Sequence, residues 1–329
     1  MASPFVIVPR GSVDAAAQLD LDPAFGDLAV HIADPRVTDL FLNGADGLFV
    51  DRGAGAEPVP GWSASEREVR ELAVRLIALG GRHLDDQAPC VDVRLASGVR
   101  VHAVLAPVAT SGTAVSVRIP RVRAADLDDL GRLGAIDGAQ RGWLEGVVRA
   151  RQNLLITGGT GTGKTTMLAA LLAHVPHDER IVTIEDVAEL HPRHPHHVSL
   201  EARQPNLEGI GAISVARLVR ESLRMRPDRL IVGECRGEEL RDLLTALNTG
   251  HDGGAGTLHA SGLADVPARL EALGALAGMD PPALARQAVS AFAYVLHLVR
   301  ERSGIRRLTQ AGVLRLDGEH LGIDEVRPW

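Results

Sequence analysis

Of the 35 basic residues in this 329-residue chain, Lys164 is the only lysine. A chain that chooses arginine everywhere else has kept one ammonium, a compact point charge where a planar guanidinium is the wrong shape. The surrounding stretch, LLITGGTGTGKTTML (154–168), meets the spacing G-x-x-x-x-G-K-[ST] through Gly158, Gly163, Lys164 and Thr165. Glycines let a backbone curl until its N–H groups face phosphate oxygens, and a helix starting there adds positive potential. Gly158, Gly159, Thr160, Gly161, Thr162, Gly163, Lys164, Thr165 and Thr166 therefore form a candidate nucleotide-binding set. Lys164 would reach the β- and γ-phosphates, and Thr165 would ligate Mg²⁺. The plainer reading is a glycine-rich turn between a strand and a helix, and the single lysine argues against it.

Further chemistry-bearing residues follow in order. IVTIEDVAEL (181–190) delivers Glu185, Asp186 and Glu189. RLIVGECRG (229–237) delivers Glu234, one residue after Gly233, where such a strand more often carries a metal-binding aspartate. NTGHDGGAGTLHASG (248–262) places His251 and His259 around a glycine-rich loop. HPRHPHH (191–197) is rich in histidine, but its prolines break any helical or strand spacing, which argues against a metal site.

The elements that must position these residues are legible in the apolar pattern. NLLIT reads as a short buried strand and TTMLAALLAHV as a helix. Val215, Leu218, Val219 and Leu223 form a helical stripe, ended by Pro227-Asp228. Strands alternate with helices, which favours a parallel sheet covered on both faces, with ligands off the carboxyl ends of the strands. All four motifs are expected at such ends. GVRVHAVLAPVATSGTAVSVRIPR (98–121) reads as two strands around a loop. AYVLHLVRERSGIRRLTQAGVL (293–314) reads as a β-hairpin turning at Ser303-Gly304.

The bulk numbers exclude some classes. No apolar run approaches the ~18 residues of a membrane span, so no transmembrane segment is expected. The start, MASPFVIVPRGS, lacks the pattern of a signal peptide. Net charge of −7 argues against bulk nucleic-acid binding, which relies on a basic face. The two cysteines, Cys90 and Cys235, have no disulfide-framework or metal spacing and fit a reduced cytoplasmic compartment.

In this order, the P-loop, TIEDVAEL, LRMRPDRLIVGECRG and NTGHDGGAGTLHA resemble the Walker A motif, Asp box, Walker B motif and His box of the secretion ATPase superfamily. That superfamily serves type II and type IV secretion and type IV pili. The nearest likeness is to ATPases of tight-adherence (Flp) pilus assembly and their conjugal-transfer-associated relatives, over about residues 30–315. DPRVTDLFLNGADGLFVDRG (34–53) is similar to the start of that family's N-terminal domain. The resemblance implies an α/β fold with a RecA-like P-loop NTPase domain on a mainly parallel sheet, plus a smaller N-terminal α/β domain. The boundaries expected are 1–122 for the N-terminal domain, 123–136 for a charged linker and 137–329 for the ATPase domain.

The resemblance also implies residue roles. Glu189 matches the family's catalytic glutamate, which activates the attacking water, and Glu185 and Asp186 support it. Glu234, after a strand that in this family commonly ends Gly-Glu, helps hold Mg²⁺, partly through water. His259 senses the γ-phosphate or bonds to Glu234, and His251 opens the same loop. Arg220 and Arg224 match arginines that contact nucleotide in relatives, as do Arg100 and Arg118 in the N-terminal domain. Arg94 is a third choice there, and Arg236 is a salt-bridge partner for an acidic neighbour. The function implied is that of an ATP-hydrolysing homo-hexameric motor on the inner face of the cell membrane. It would work on an inner-membrane platform protein, without direct nucleic-acid contact. A conjugal DNA-transfer ATPase is the alternative within the superfamily, and a nucleotide-bound scaffold without turnover the alternative outside it.

Overall fold

Two kinds of apolar pattern run along the chain, alternating early and continuous later, and they fold into different sheets. The computed structural model describes residues 22–53, 55–95, 98–119, 125–203 and 210–329. These fall into two compact units divided between Arg123 and Ala124.

The first unit is built on alternation. Strands β1 (Asp39–Asn43), β2 (Leu48–Asp51), β3 (Ala56–Pro58), β4 (Cys90–Arg94), β5 (Arg100–Val104) and β6 (Ala114–Arg118) form an antiparallel sheet in the order β3-β2-β1-β6-β5-β4. Helices α1 (Ala29–Ala33) and α2 (Glu66–Leu79) accompany it. Leu40, Leu42, Val101, Ala103, Val115 and Val117 share a core with Val69, Ala73, Leu76 and Ile77 of α2. A capping box between Ser65 and Glu68 starts that helix. Strand alternation sends the intervening residues to the opposite face. There Arg94, Arg100, Arg118 and Asp39 stand opposite one another in register across β4, β5, β6 and β1.

The second unit is built on continuous apolar strands. It contains α3 (Leu127–Arg132), α4 (Gly138–Arg149), β7 (Leu154–Gly158), α5 (Lys164–Leu172), β8 (Ile181–Glu185) and β9 (His197–Glu201). Next come α6 (Val215–Ser222), β10 (Arg229–Val232), α7 (Glu239–Leu247), β11 (Ala255–His259), α8 (Val266–Leu276) and α9 (Pro281–Ala291). The last strands are β12 (Tyr294–Arg300), β13 (Arg306–Asp317) and β14 (His320–Val326). The sheet order is β14-β13-β12-β7-β11-β10-β8-β9. The strands from β12 to β9 are parallel, and β13 and β14 extend the sheet antiparallel.

Every residue of β7, β8 and β10 is buried, as expected where helices cover both faces of a sheet. Leu155, Val182, Leu230 and Val232 pack with residues of α6, α7, α8 and α9. Leu154, Ile156, Ile181 and Ile231 pack on the other side with α3, α4 and α5. The hairpin expected around Ser303-Gly304 is present, as β12 paired with β13.

One boundary differs. The stretch expected as a linker, 123–136, belongs to the second unit from Ala125 onward; its first residues lie outside the described ones. Leu127 and Leu130, three apart on α3, are buried with Ala135 and Ile136. Two of the charges that suggested a linker, Asp126 and Asp129, form the capping box that starts α3.

Candidate active site

Parallel pairing brings the carboxyl ends of six strands to one edge of the second sheet. Gly158 ends β7 at φ +147°, a conformation that strains any side chain. A Cβ there would lie 2.4 Å from the Leu298 carbonyl oxygen of β12. Thr162 Oγ1 donates to the Gly159 carbonyl at 2.9 Å, closing the loop on itself. Gly163, at φ +93°, turns the chain into α5. Thr165 and Thr166 sit half-buried in the first turn of that helix, while Thr160 and Gly161 are exposed.

Lys164 is buried. Its ammonium donates to the carbonyls of Gly158 at 3.1 Å and Gly159 at 3.0 Å, and to His259 Nδ1 at 3.3 Å. Burial holds its pKa below the usual lysine value, and the Glu234 charge partly offsets that. His259 is level with Gly158 because β11 pairs with β7 in that register.

From His259 the contacts continue. Its Nε2 lies 3.0 Å from Glu234 Oε1. Glu234 Oε2 accepts from Arg236 at 2.7 Å, and Arg236 reaches Asp186 Oδ2 at 3.9 Å. The tautomer follows from chemistry. An ammonium has only donors, so Nδ1 must accept from Lys164, and Nε2 carries the proton given to Glu234. Burial and the Lys164 charge lower the His259 pKa, against the pull of Glu234, and favour this neutral form.

The glycine before Glu234 has a steric cause. A Cβ on Gly233 would lie 2.5 Å from Cγ of Glu185 and 3.0 Å from its Oε1. The slot an aspartate would enter is filled by Glu185, delivered by the neighbouring strand β8. Glu185 is buried, and its carboxylate accepts from the Glu189 N–H at 3.0 Å and the Leu190 N–H at 3.2 Å. Glu201, at the end of β9, accepts from the Ala188 N–H at 3.0 Å. Two carboxylates thus hold the turn that presents Glu189. The Glu189 charge helps raise the Arg236 pKa, behind Glu234 and Asp186.

The structure gathers Lys164, Glu185, Asp186, Glu189, Glu234 and His259 along this edge. His251 stands apart from these groups. It precedes the amino end of β11, and its Nδ1 lies 3.3 Å from the Ala246 carbonyl at the end of α7. A strand of five residues, about 15 Å at the usual rise, separates it from the P-loop edge. Arg220 pairs with Asp242 of α7 and Arg224 with Glu221, both on the surface. Arg220 lies in α6, and Arg224 in the 3-10 turn that follows it.

Arg100 and Arg118 belong to the first unit, where Arg118 meets Asp39 at 3.0 Å and Arg100 lies 3.7 Å from Asp92. Two groups the sequence reading passed over also bear on the edge. Glu239 accepts from the N–H groups of Arg236 and Gly237. Arg306 of β13 donates to the Gly161 carbonyl at 2.8 Å.

The donor set suits a nucleotide with its metal. A curled glycine loop and a buried ammonium meet phosphate, and the Thr165 hydroxyl with the Glu234 carboxylate are oxygen donors of the kind Mg²⁺ takes.

Known proteins agree with this architecture. The family described as "Type II/IV secretion system protein" matches residues 26–311. A Mycobacterium tuberculosis protein named for conjugal transfer is 52% identical over 284 residues, 84% of this chain and 81% of its own length. The conjugal transfer protein TrbB of Rhizobium radiobacter is 32% identical, over 91% of this chain and 90% of its own. Among solved structures, the pilus retraction motor PilT with bound ADP aligns with TM-score 0.60 at 17% identity, covering 94% of this chain and 84% of that one, a likeness of fold. The chain belongs to the type II/IV secretion system protein family.

Proposed function

We propose that this chain hydrolyses ATP as the motor of a secretion or pilus-type assembly. The observation that carries the reading is the continuous contact from the P-loop ammonium through His259 to Glu234. Phosphoryl transfer to water needs positioning and charge stabilisation, and this edge supplies both. The loop N–H groups and Lys164 hold the phosphates. Mg²⁺, taken by Thr165 and in part through water by Glu234, would neutralise phosphate charge. Glu189, set on a turn bonded to Glu185, orients the attacking water. His259 ties the state of Lys164 to that of Glu234.

The same proposal includes a homo-hexameric ring, in which Arg220 and Arg224, with Arg100 and Arg118, serve the nucleotide of the assembly. Head-to-tail contacts suit cyclic symmetry. The ring would lie in the cytoplasm against the inner face of the membrane and act on an inner-membrane platform protein. Two uses of such a motor are open. The conjugal-transfer names of the relatives support a type IV or conjugal class. The motif order in the sequence supports tight-adherence pilus assembly.

The test is phosphate release by purified protein with MgATP, alongside its mass in solution. The reading expects turnover, lost in Lys164→Ala and Glu189→Gln, by a hexamer. Equal turnover in Lys164→Ala would sink it. Nucleotide binding without turnover, unchanged by Glu189→Gln, would leave the scaffold reading standing instead.

A further inference from the structure

We propose that Arg300 and Arg306, at the base of the C-terminal hairpin, are nucleotide-binding residues serving the end of the nucleotide away from the γ-phosphate. The inference rests on the ATP reading above. Three observations carry it.

First, the hairpin packs directly on the phosphate loop. β12 pairs with β7, Leu298 level with Gly158, so the hairpin turn projects from the same edge as the loop. Arg306 Nε donates to the Gly161 carbonyl at 2.8 Å. Its Cδ would lie 3.2 Å from a Cβ on Gly163, and an Arg300 terminal nitrogen would lie 3.9 Å from one on Gly161.

Second, Arg300 and Arg306 are partners in register across β12 and β13. Directly opposed residues in an antiparallel pair share a face, so both side chains stand on the same side of the hairpin, the side that meets the phosphate loop. Arg307, the next residue, alternates to the other face and meets Glu301 at 2.7 Å.

Third, strand order gives the pair a direction. Glu234 and Glu189 follow β10 and β8, on one side of β7, whereas β12 and β13 lie on the other. A triphosphate whose γ-phosphate points toward those acids presents its α-phosphate and nucleoside on the hairpin side. That end is the same in ATP and ADP. The arginines therefore act on binding of both nucleotides rather than on the transition state.

The experiment is calorimetric titration of the full chain with MgADP and with MgATP, for wild type, Lys164→Ala, Arg306→Ala, Arg306→Lys and Arg300→Ala, with steady-state hydrolysis in parallel. The proposal expects Arg306→Ala to weaken both nucleotides by a similar factor, about tenfold for a lost charge-assisted contact. KM should rise by a larger factor than kcat falls, and Arg306→Lys should recover part of the affinity. Arg300→Ala should weaken both nucleotides in the same direction. A Kd within about twofold of wild type for both alanine variants overturns the proposal. So does a loss confined to kcat or to MgATP, which would place the arginines at the γ-phosphate. Failure of the wild type to bind either nucleotide overturns the ATP reading itself. If Arg306→Ala melts early, Arg306→Lys and Arg300→Ala decide the matter in folded protein.

Discussion

Gly233→Ala is a one-carbon change with a calculable consequence. The new Cβ falls 2.5 Å from Cγ of Glu185 and 3.1 Å from its Cδ, where carbon pairs normally rest at about 3.5–4.0 Å. Both backbones lie in the centre of a parallel sheet, so the side chain must yield, by about 1 Å. That displacement takes the Glu185 carboxylate from 3.0 Å and 3.2 Å off the N–H groups of Glu189 and Leu190 to about 4 Å, beyond hydrogen bonding. Hydrogen bonds to a charged group contribute about 1.5–3 kcal/mol each. With two loosened and partial relaxation, the cost is about 2–4 kcal/mol. Part appears as a lower melting temperature. Part appears in turnover, because the turn presenting Glu189 loses its anchor, and misplacement of about 1 Å can cost roughly 10²-fold in rate. The assay is ATP hydrolysis and thermal melting of Gly233→Ala, Glu185→Ala and the double variant. Truncating Glu185 removes the clashing atoms, so Gly233→Ala should cost little in that background, a coupling above about 1 kcal/mol. Equal cost in both backgrounds would refute the steric account of this glycine.

Three further outcomes follow. Lys164→Arg keeps the charge but needs room for a planar fork in a buried niche, and hydrolysis should fall about 10²-fold or more, which steady-state assays would reveal. His251→Ala removes a bond at the end of α7 and should cost about 1 kcal/mol of stability while hydrolysis stays within about threefold of wild type; a larger loss would return His251 to the site. His197, whose Nε2 lies 2.9 Å from Thr183 Oγ1, has its pKa lowered to about 4 by burial, with His191 and His194 adding to it. The folded state thus binds this proton less readily than the unfolded chain. The stability from neutral His197 is complete above the ordinary histidine value of about 6.5. It is lost as pH falls from there toward 4, and His197→Gln should flatten the melting temperature against pH across that window.

What the sequence disclosed and what it withheld divide along a physical line. Lys164 and its glycines were legible because phosphate restricts the loop to few residue types at fixed local spacing. The hairpin at Ser303-Gly304 and the buried strands were legible because apolar period is local too. His251 stands apart from His259 because the length of β11 lies between them, a separation that their shared glycine-rich motif does not announce. The expected linker is charged because the carboxylates of Asp126 and Asp129 cap α3, a use that composition alone does not distinguish. Arg306 was passed over because its contact joins a hairpin base to a distant loop, a juxtaposition that strand pairing alone creates. The relay shows the same limit most sharply. Its members occur in the sequence as Lys164, Asp186, Glu234 and His259, yet they touch in the order Lys164, His259, Glu234, then Asp186 through Arg236. That contact order is the strand order β7-β11-β10-β8. Each motif announces a group, but only the order in which strands enter the sheet decides which acid meets the histidine. Because β10 and not β8 lies beside β11, Glu234 is the residue coupled to the P-loop lysine, and Glu189 stays with the turn after β8.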